Sequence, residues 1–302
     1  MNRVVVIINP VSGPARRGTG SERADLATRA LDRLGERAEI RLTERAGHAH
    51  EMAIEAAASG AEIVMAWGGD GTINDVGRAL VQRADEAAPD QPLPALGIIP
   101  GGSGNGLARE LGIPFDPERA IERCMRAQTR RVDAGELGNR LFFNVAGVGL
   151  DAHVAALVST GVHHRGLLPY LSATVRDLLA YVPVEYSITA DGETFEMSAL
   201  IVAVANSRQY GFGAQIAPRA SFEDGFLDLV VVEDRRMTGN LARIPSLFLA
   251  RVDRQSGVKS LRVREATIRS RKTMLFHVDG EAEQGSDALV ARVHPGALRL
   301  RA

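Results

Sequence analysis

Three short apolar runs, Val4–Ile8, Ile63–Trp67 and Ala95–Ile99, each break into a turn rich in Gly, Ser, Asn or Pro, with helix-patterned sequence beyond it. A continuous apolar run of about five residues, β-branched throughout in Val4–Ile8, suits a strand buried on both faces, and alternation with helices dictates a mostly parallel sheet covered on both sides. Between the first two runs, Thr19–Glu22 reads as a capping box opening a helix to Leu34, with Gly35 as its stop. Ile40–Leu42 is strand material, and Thr43 is expected to cap a second helix through Ala58, stopped by Gly60. Ile73–Arg83 is helical, Ala84–Pro94 is a polar linker, and Asp116-Pro117 opens one more helix with Pro at its first position. Ligands of such sheets bind at the carboxyl ends of the strands. The turns Asn9–Gly13, Gly68–Thr72 and Pro100–Asn105 all fall on that edge.

From Arg131 the pattern changes to short β-rich segments: Val132–Leu137, Leu141–Val145, Val184–Thr189, Phe195–Val204, Phe226–Val232 and Leu261–Ile268. Gly138-Asn139 and Asp191-Gly192 are hairpin turn signals, and helical insertions are expected near Val154–Ser159, Tyr170–Ala180 and Gly239–Arg251. The expected class is α/β. A doubly wound, mostly parallel N-terminal domain at 1–130 precedes a largely antiparallel β-sandwich or barrel at 131–293, and the closing residues, about 294–302, return to the first domain.

The chain has 302 residues, is 24% charged and carries a formal charge of −1, which argues against a nucleic-acid binder with a strongly basic field. No apolar run approaches the ~20 residues of a membrane-spanning helix, and the opening MNRVVVIINP turns too soon for a secretory signal. The single cysteine, Cys124, reads as a small buried hydrophobe in a reducing compartment. Only two of the 36 basic residues are lysines, Lys259 and Lys272, and no GxxxxGK[ST] loop exists. Any phosphate is therefore held by backbone amides, hydroxyls, Arg or a metal. The arginine excess itself reads most simply as genomic base composition.

Gly68-Gly69-Asp70-Gly71-Thr72-Ile73-Asn74 follows a strand and opens a helix. Its glycines allow close backbone approach, and successive amides with a helix N-terminus make an anion cradle. Asp70 would repel an anion unless it orients a hydroxyl, a base or a metal; the plainer alternative is that it caps its own turn. Asn9–Gly13 and Pro100–Asn105 are, alone, ordinary strand-to-helix turns. Near the end, His277-Val278-Asp279-Gly280-Glu281 puts two carboxylates on one turn, where either can accept a proton from an alcohol. His48-Ala49-His50 and His163-His164 lack the further ligands of a zinc site.

The ordered set NPVSG, GGDGTIND, PGGSGN, GVGLDA, EDGFLDLVVVE and HVDGE resembles the diacylglycerol kinase catalytic family, which includes bacterial lipid kinases and sphingosine kinases. GGDGT alone is shared with NAD kinases. The resemblance implies an ATP-binding first domain in which Asn9, Pro10, Val11, Ser12 and Gly13, together with Gly68, Gly69, Asp70, Gly71, Thr72, Ile73 and Asn74, hold ATP, helped by Thr43 and Ser103. It implies Mg²⁺ at Asp224 with the backbone carbonyls of Ser221 and Phe226, the alternative for Glu223-Asp224-Gly225 being a plain hairpin turn. It points to Glu281 as proton acceptor, with Asp279 a close rival and Asp70 a third candidate. Asp151, in the GVGLDA motif, would meet a lipid head group or else N-cap the helix after it.

One departure concerns the acceptor. Many members read G-T-x-N-D where this chain has Gly102-Ser103-Gly104-Asn105-Gly106, which keeps a hydroxyl, loses a carboxylate and is closer to the sphingosine kinases. The implied partner is a lipid acceptor at a membrane surface, reached by a cytoplasmic, peripherally associating protein. His163–Leu171 reads as a membrane-touching loop or an interdomain packing segment, and a homodimer stays open. Two rivals remain: an NAD kinase acting on a soluble dinucleotide, and a non-catalytic regulator that binds lipid or nucleotide.

Overall fold

The computed structural model describes residues 3–13, 19–86, 92–159, 181–211, 213–235 and 237–302, so the expectations at His163–Leu171 and Tyr170–Ala180 lie outside the described residues. The chain divides into two units, Met1–Val132 with Gly296–Ala302, and Asp133–Pro295.

In the first unit β1 (Val4–Ile8), β3 (Ile63–Gly68) and β4 (Ala95–Pro100) are buried along their whole length, as their unbroken apolar sequence requires. β2 (Ala38–Leu42) sits at the edge and is half-exposed. β1 pairs in parallel with β2 and β3, and β3 pairs in parallel with β4. The far end of the last strand, β17 (Ala288–Arg301), closes the sheet beside β4, Leu300 facing Leu96. The helices follow in order: α1 (Gly20–Arg33), α2 (His48–Ala58), α3 (Asp70–Glu86), α4 (Gly106–Glu110) and α5 (Pro117–Arg126). α1 packs with α5 and α2 with α3. Since β1 feeds a helix of one pair and β3 a helix of the other, the winding reverses between these two strands, and a crevice opens at their carboxyl ends.

Local signals explain the helix ends. The Thr19–Glu22 capping box forms in both directions, and Asp116 caps α5 through the Arg119 N–H with Pro117 behind it. Thr43 does not cap α2, contrary to expectation. Its own N–H continues the β1 ladder to the Ile8 carbonyl, and the helix begins only at His48 behind Gly47, which has a positive φ and no side-chain cap. Cys124 is buried beside Gly97, and burial pushes its thiol up to about 12.

The second unit is an antiparallel β-sandwich. Its strands are β5 (Arg130–Leu137, entering from the first unit), β6 (Arg140–Phe142), β7 (Val145–Gly149), β8 (Val184–Ala190), β9 (Glu193–Ala205), β10 (Gln209–Gly211), β11 (Ala214–Gln215), β12 (Leu227–Glu233), β13 (Val258–Val263), β14 (Glu265–Ser270), β15 (Leu275–Val278), β16 (Glu281–Gln284) and the first part of β17. The 13-residue β9 organises them, pairing with β8 along one half and with β7 and β12 along the other. Leu227, Leu229 and Val231 of β12 enter the main core, while Val230 and Val232 point the other way. That second face is covered by α7 (Met237–Phe248) through Leu247, and by Val252 beyond it; α6 (Leu150–Ser159) packs on the β15–β16 hairpin.

Two expected strands are each split in two, for one reason. Leu141–Val145 breaks at Phe143-Asn144 because the N–H groups of Phe143, Asn144 and Val145 donate to the Asp279 carboxylate at 2.9 to 3.2 Å. Leu261–Ile268 breaks at Arg264 because the N–H groups of Arg264 and Glu265 donate to Asp191. Both acceptors sit in left-handed backbone at the first position of an Asp-Gly hairpin turn, φ 44° for Asp191 and 49° for Asp279.

Candidate active site

On the first unit the three glycine-bearing turns converge. Asn9 donates from Nδ2 to Thr72 Oγ1 at 3.0 Å, across the crevice between β1 and β3. The Gly101 N–H donates to the Gly68 carbonyl at 2.6 Å. A methyl group placed on Gly102 would lie 2.5 Å from the Cα of Gly69, and one on Gly101 would lie 3.0 Å from Ser12 Oγ. These glycines are there because the backbones touch. Gly104 faces the Asp70 carboxylate in the same way, a methyl there lying 3.0 Å from Oδ2. Asp70 is the first residue of α3, so the helix's positive end and a carboxylate share one rim.

The remaining candidates of this unit divide by exposure. Val11 is the exposed tip of its turn, beside Pro10 and Gly13, which has a positive φ. Ser12 is buried, its hydroxyl donating to the Asn9 carbonyl. Thr72, Ile73 and Asn74 are buried in the first turns of α3, so Ile73 offers its backbone and not its side chain. Thr43 is buried at the end of β2, and Ser103 is half-exposed on its loop.

Two further residues shape this rim. Arg23, buried on α1, donates to the carbonyls of Asn9 and Ser12 and to Ser12 Oγ, with its guanidinium 5.9 Å from the Trp67 ring centre. Asn105, at φ 50° and fully buried, closes the third turn by pairing both ways with the Gly102 backbone at 2.8 Å. Arg23 lies fourteen positions from Asn9 on the buried face of α1 with Ala27, Ala30 and Leu31, and the cue in the sequence is a charge at the spacing of that apolar face.

On the second unit the β15–β16 hairpin carries Asp279 and Glu281. Both Asp279 oxygens accept backbone N–H groups, whereas Glu281 is exposed at the start of β16. Asp151 does not N-cap α6; it lies in the first turn, fully buried, with Oδ1 accepting its neighbour's N–H. Its Oδ2 takes the Tyr210 hydroxyl at 3.0 Å and lies 3.2 Å from His277 Nε2. The same oxygen requires Gly147, where a methyl would sit 2.6 Å away.

The Asp224 turn offers only oxygen donors, which suits a hard cation such as Mg²⁺. Carboxylates and guanidinium groups mix around it: burial, then the Asp224 carboxylate, raises Asp228 to about 6 against the opposing pull of Arg262 and Arg219, and Asp133 accepts the Gly225 N–H at 2.7 Å. Asp224 at present accepts from Phe226 N–H and pairs with Arg262 at 2.6 Å, so a cation would compete with that guanidinium. The donor set fits Mg²⁺ in kind, although among the described residues no group of three His, Cys, Asp or Glu side chains forms a ready cage.

A stability prediction follows from Asp228. Its pKa is raised on folding, so the folded state holds a proton that the unfolded chain has released, and stability falls as pH rises from about 4 towards about 6. Asp228→Asn is expected to stabilise the protein by up to about 3 kcal/mol at pH 7.5, with most of the gain gone near pH 4. Urea unfolding at both pH values checks this, and equal effects at the two would refute it.

The diacylglycerol kinase catalytic domain family matches residues 3–137, and the YegS C-terminal NAD kinase beta sandwich-like domain family matches residues 144–302. A Chromohalobacter salexigens protein named "Probable lipid kinase YegS-like" is 32% identical, over 87% of this chain and 83% of its own. The chain belongs to the YegS-like lipid kinase family. A Pseudomonas aeruginosa protein of the same name is 30% identical over 93% of this lipid kinase and 90% of its own length. The crystal structure of a diacylglycerol kinase from Bacillus anthracis shares the fold, with a TM-score of 0.74 at 20% identity, covering 99% of this chain and 96% of that one.

Proposed function

We propose that this lipid kinase transfers the γ-phosphate of ATP to a hydroxyl of a lipid, with the phosphate chain on the three-turn rim and Glu281 taking the hydroxyl proton. The observation that carries the reading is the convergence of Asn9, Gly68–Thr72 and Gly101–Asn105 around Asp70 at the positive end of α3. Backbone amides, hydroxyls and a helix terminus replace the missing P-loop lysine.

The acceptor oxygen attacks phosphorus, the bond to the bridging oxygen of ADP breaks, and the hydroxyl proton passes to Glu281. Asp279 acts differently, because its carboxylate is taken up by three backbone donors and so holds the hairpin that presents Glu281. Asp70 orients groups on the phosphate rim. Asp224 with the carbonyls of Ser221 and Phe226 would hold Mg²⁺, which would supply a compact positive charge there in place of the Arg262 guanidinium.

The test is transfer of labelled γ-phosphate from ATP with Mg²⁺ to a panel of lipids in mixed micelles, beside NAD and a no-acceptor control. Label in a lipid class establishes the reaction and the acceptor together. Label only in NAD, or in nothing while ATP still binds, overturns it.

A further inference from the structure

We propose that the end of α7 is a docking surface for an anionic bilayer, an inference that rests on the reading of a lipid acceptor and names the surface from which that acceptor is drawn. Phe248 and Leu249 are 40% and 62% exposed, although their neighbour Leu247 packs into the core beneath them. The helix is ended sharply: Arg251 N–H returns to the Ser246 carbonyl, and Ala250 takes a left-handed φ of 52°, which leaves the two large side chains at the tip. One turn earlier Ile244 packs on the same small core of Leu150, Val154 and Leu200 as Tyr181, whose chain neighbour Val182 is 78% exposed.

The exposed charges of the chain at this tip are positive. Arg251 and Arg254 are exposed just beyond it, and the stretch 244–258 contains a single carboxylate, Asp253. That carboxylate is turned inward, 11% exposed, and Arg219, 71% exposed, pairs with it at 3.4 Å. The tip therefore presents two apolar side chains beside three guanidinium groups, in a protein whose formal charge is −1. This is the pattern of an interfacial anchor: apolar groups enter the boundary of the acyl chains while arginines pair with lipid phosphates. A protein partner needs about 800 Å² on each side, more than such a tip supplies.

The experiment is co-sedimentation with vesicles of phosphatidylcholine alone or mixed with phosphatidylglycerol, without ATP, using wild type, Phe248→Ser with Leu249→Ser, and Arg251→Gln with Arg254→Gln. Melting temperatures confirm that each variant is folded. The wild type is expected to pellet with the mixed vesicles and less with the neutral ones. The apolar double variant should lose at least about tenfold in partitioning, and the arginine variant about fivefold per charge, on mixed vesicles only.

A double variant that pellets like the wild type, a wild type that leaves both vesicles in the supernatant, or a change of oligomeric size in the double variant would each overturn the inference. Transfer to a short-chain diacylglycerol in solution separates the two claims. If it proceeds while docking fails, the kinase reading stands alone, and if docking occurs without transfer to any lipid, the surface stands and the acceptor reading falls.

Discussion

Glu281→Gln is expected to lower kcat by ~10² to 10⁴-fold while shifting the melting temperature by no more than about 2 °C. Glu281 is exposed at the start of β16, so its carboxylate can meet a substrate hydroxyl, and the amide keeps its shape while losing its basicity. Asp279→Asn should behave in the opposite sense. Three backbone N–H groups converge on that carboxylate, and an amide offers them one acceptor oxygen in place of two, which costs about 1 to 3 kcal/mol. Asn also tolerates the left-handed backbone of Asp279, so backbone strain does not confuse the result. Activity of Asp279→Asn should therefore fall with the folded fraction and recover when the protein is assayed colder or with stabilising solutes. If Glu281→Gln turns over normally, or if Asp279→Asn is fully stable and inactive, the roles are reversed.

The case for this division comes from Asp191 as much as from Asp279. Asp191 stands in an Asp-Gly hairpin turn of the same kind, at nearly the same φ, and also collects N–H groups from an interrupted strand, in a hairpin where no chemistry is proposed. The shared arrangement is a device for ending one strand and starting another. It is also where the sequence is least readable. In Leu261–Ile268 the apolar positions slip from 261 and 263 to 266 and 268 across Arg264-Glu265, which hints at a break, but the group that fixes it lies more than seventy positions away. The same holds for Leu141–Val145, broken by a residue 136 positions distant. Where the determining partner is local, sequence is enough: the apolar runs of β1, β3 and β4, the Thr19–Glu22 box and the Asp116-Pro117 cap all lie within a few residues of what they specify. The three turns are legible as phosphate-compatible from their glycines, and their order along the chain carries the family resemblance. The roles of Arg23 and Asn105 are less legible, since most of their partners are backbone atoms of the turns, with the Ser12 hydroxyl the one side chain among them.

Gly102→Ala is expected to raise the KM for ATP roughly tenfold or more, equivalent to ~1.4 kcal/mol, and to destabilise the first unit by about 1 to 3 kcal/mol. The added methyl would lie 2.5 Å from the Cα of Gly69 and 3.0 Å from Asn105 Oδ1, and the nearest obstacle is backbone, which has no rotamer to yield. Relief requires the third turn to move away from Gly69, which separates the amides proposed to hold one phosphate chain together. The reciprocal change is milder. A methyl on Gly69 meets the Cα of Gly102 at 3.3 Å, a gap that small shifts can restore, so Gly69→Ala should cost distinctly less in both measurements. Because both substitutions force apart the same two turns, the double variant should lose less than the sum of the single losses. ATP titrations of initial rate and thermal unfolding of the three variants decide the matter. Equal effects at the two glycines, or strict additivity, would mean that the turns are held apart by something other than this backbone contact.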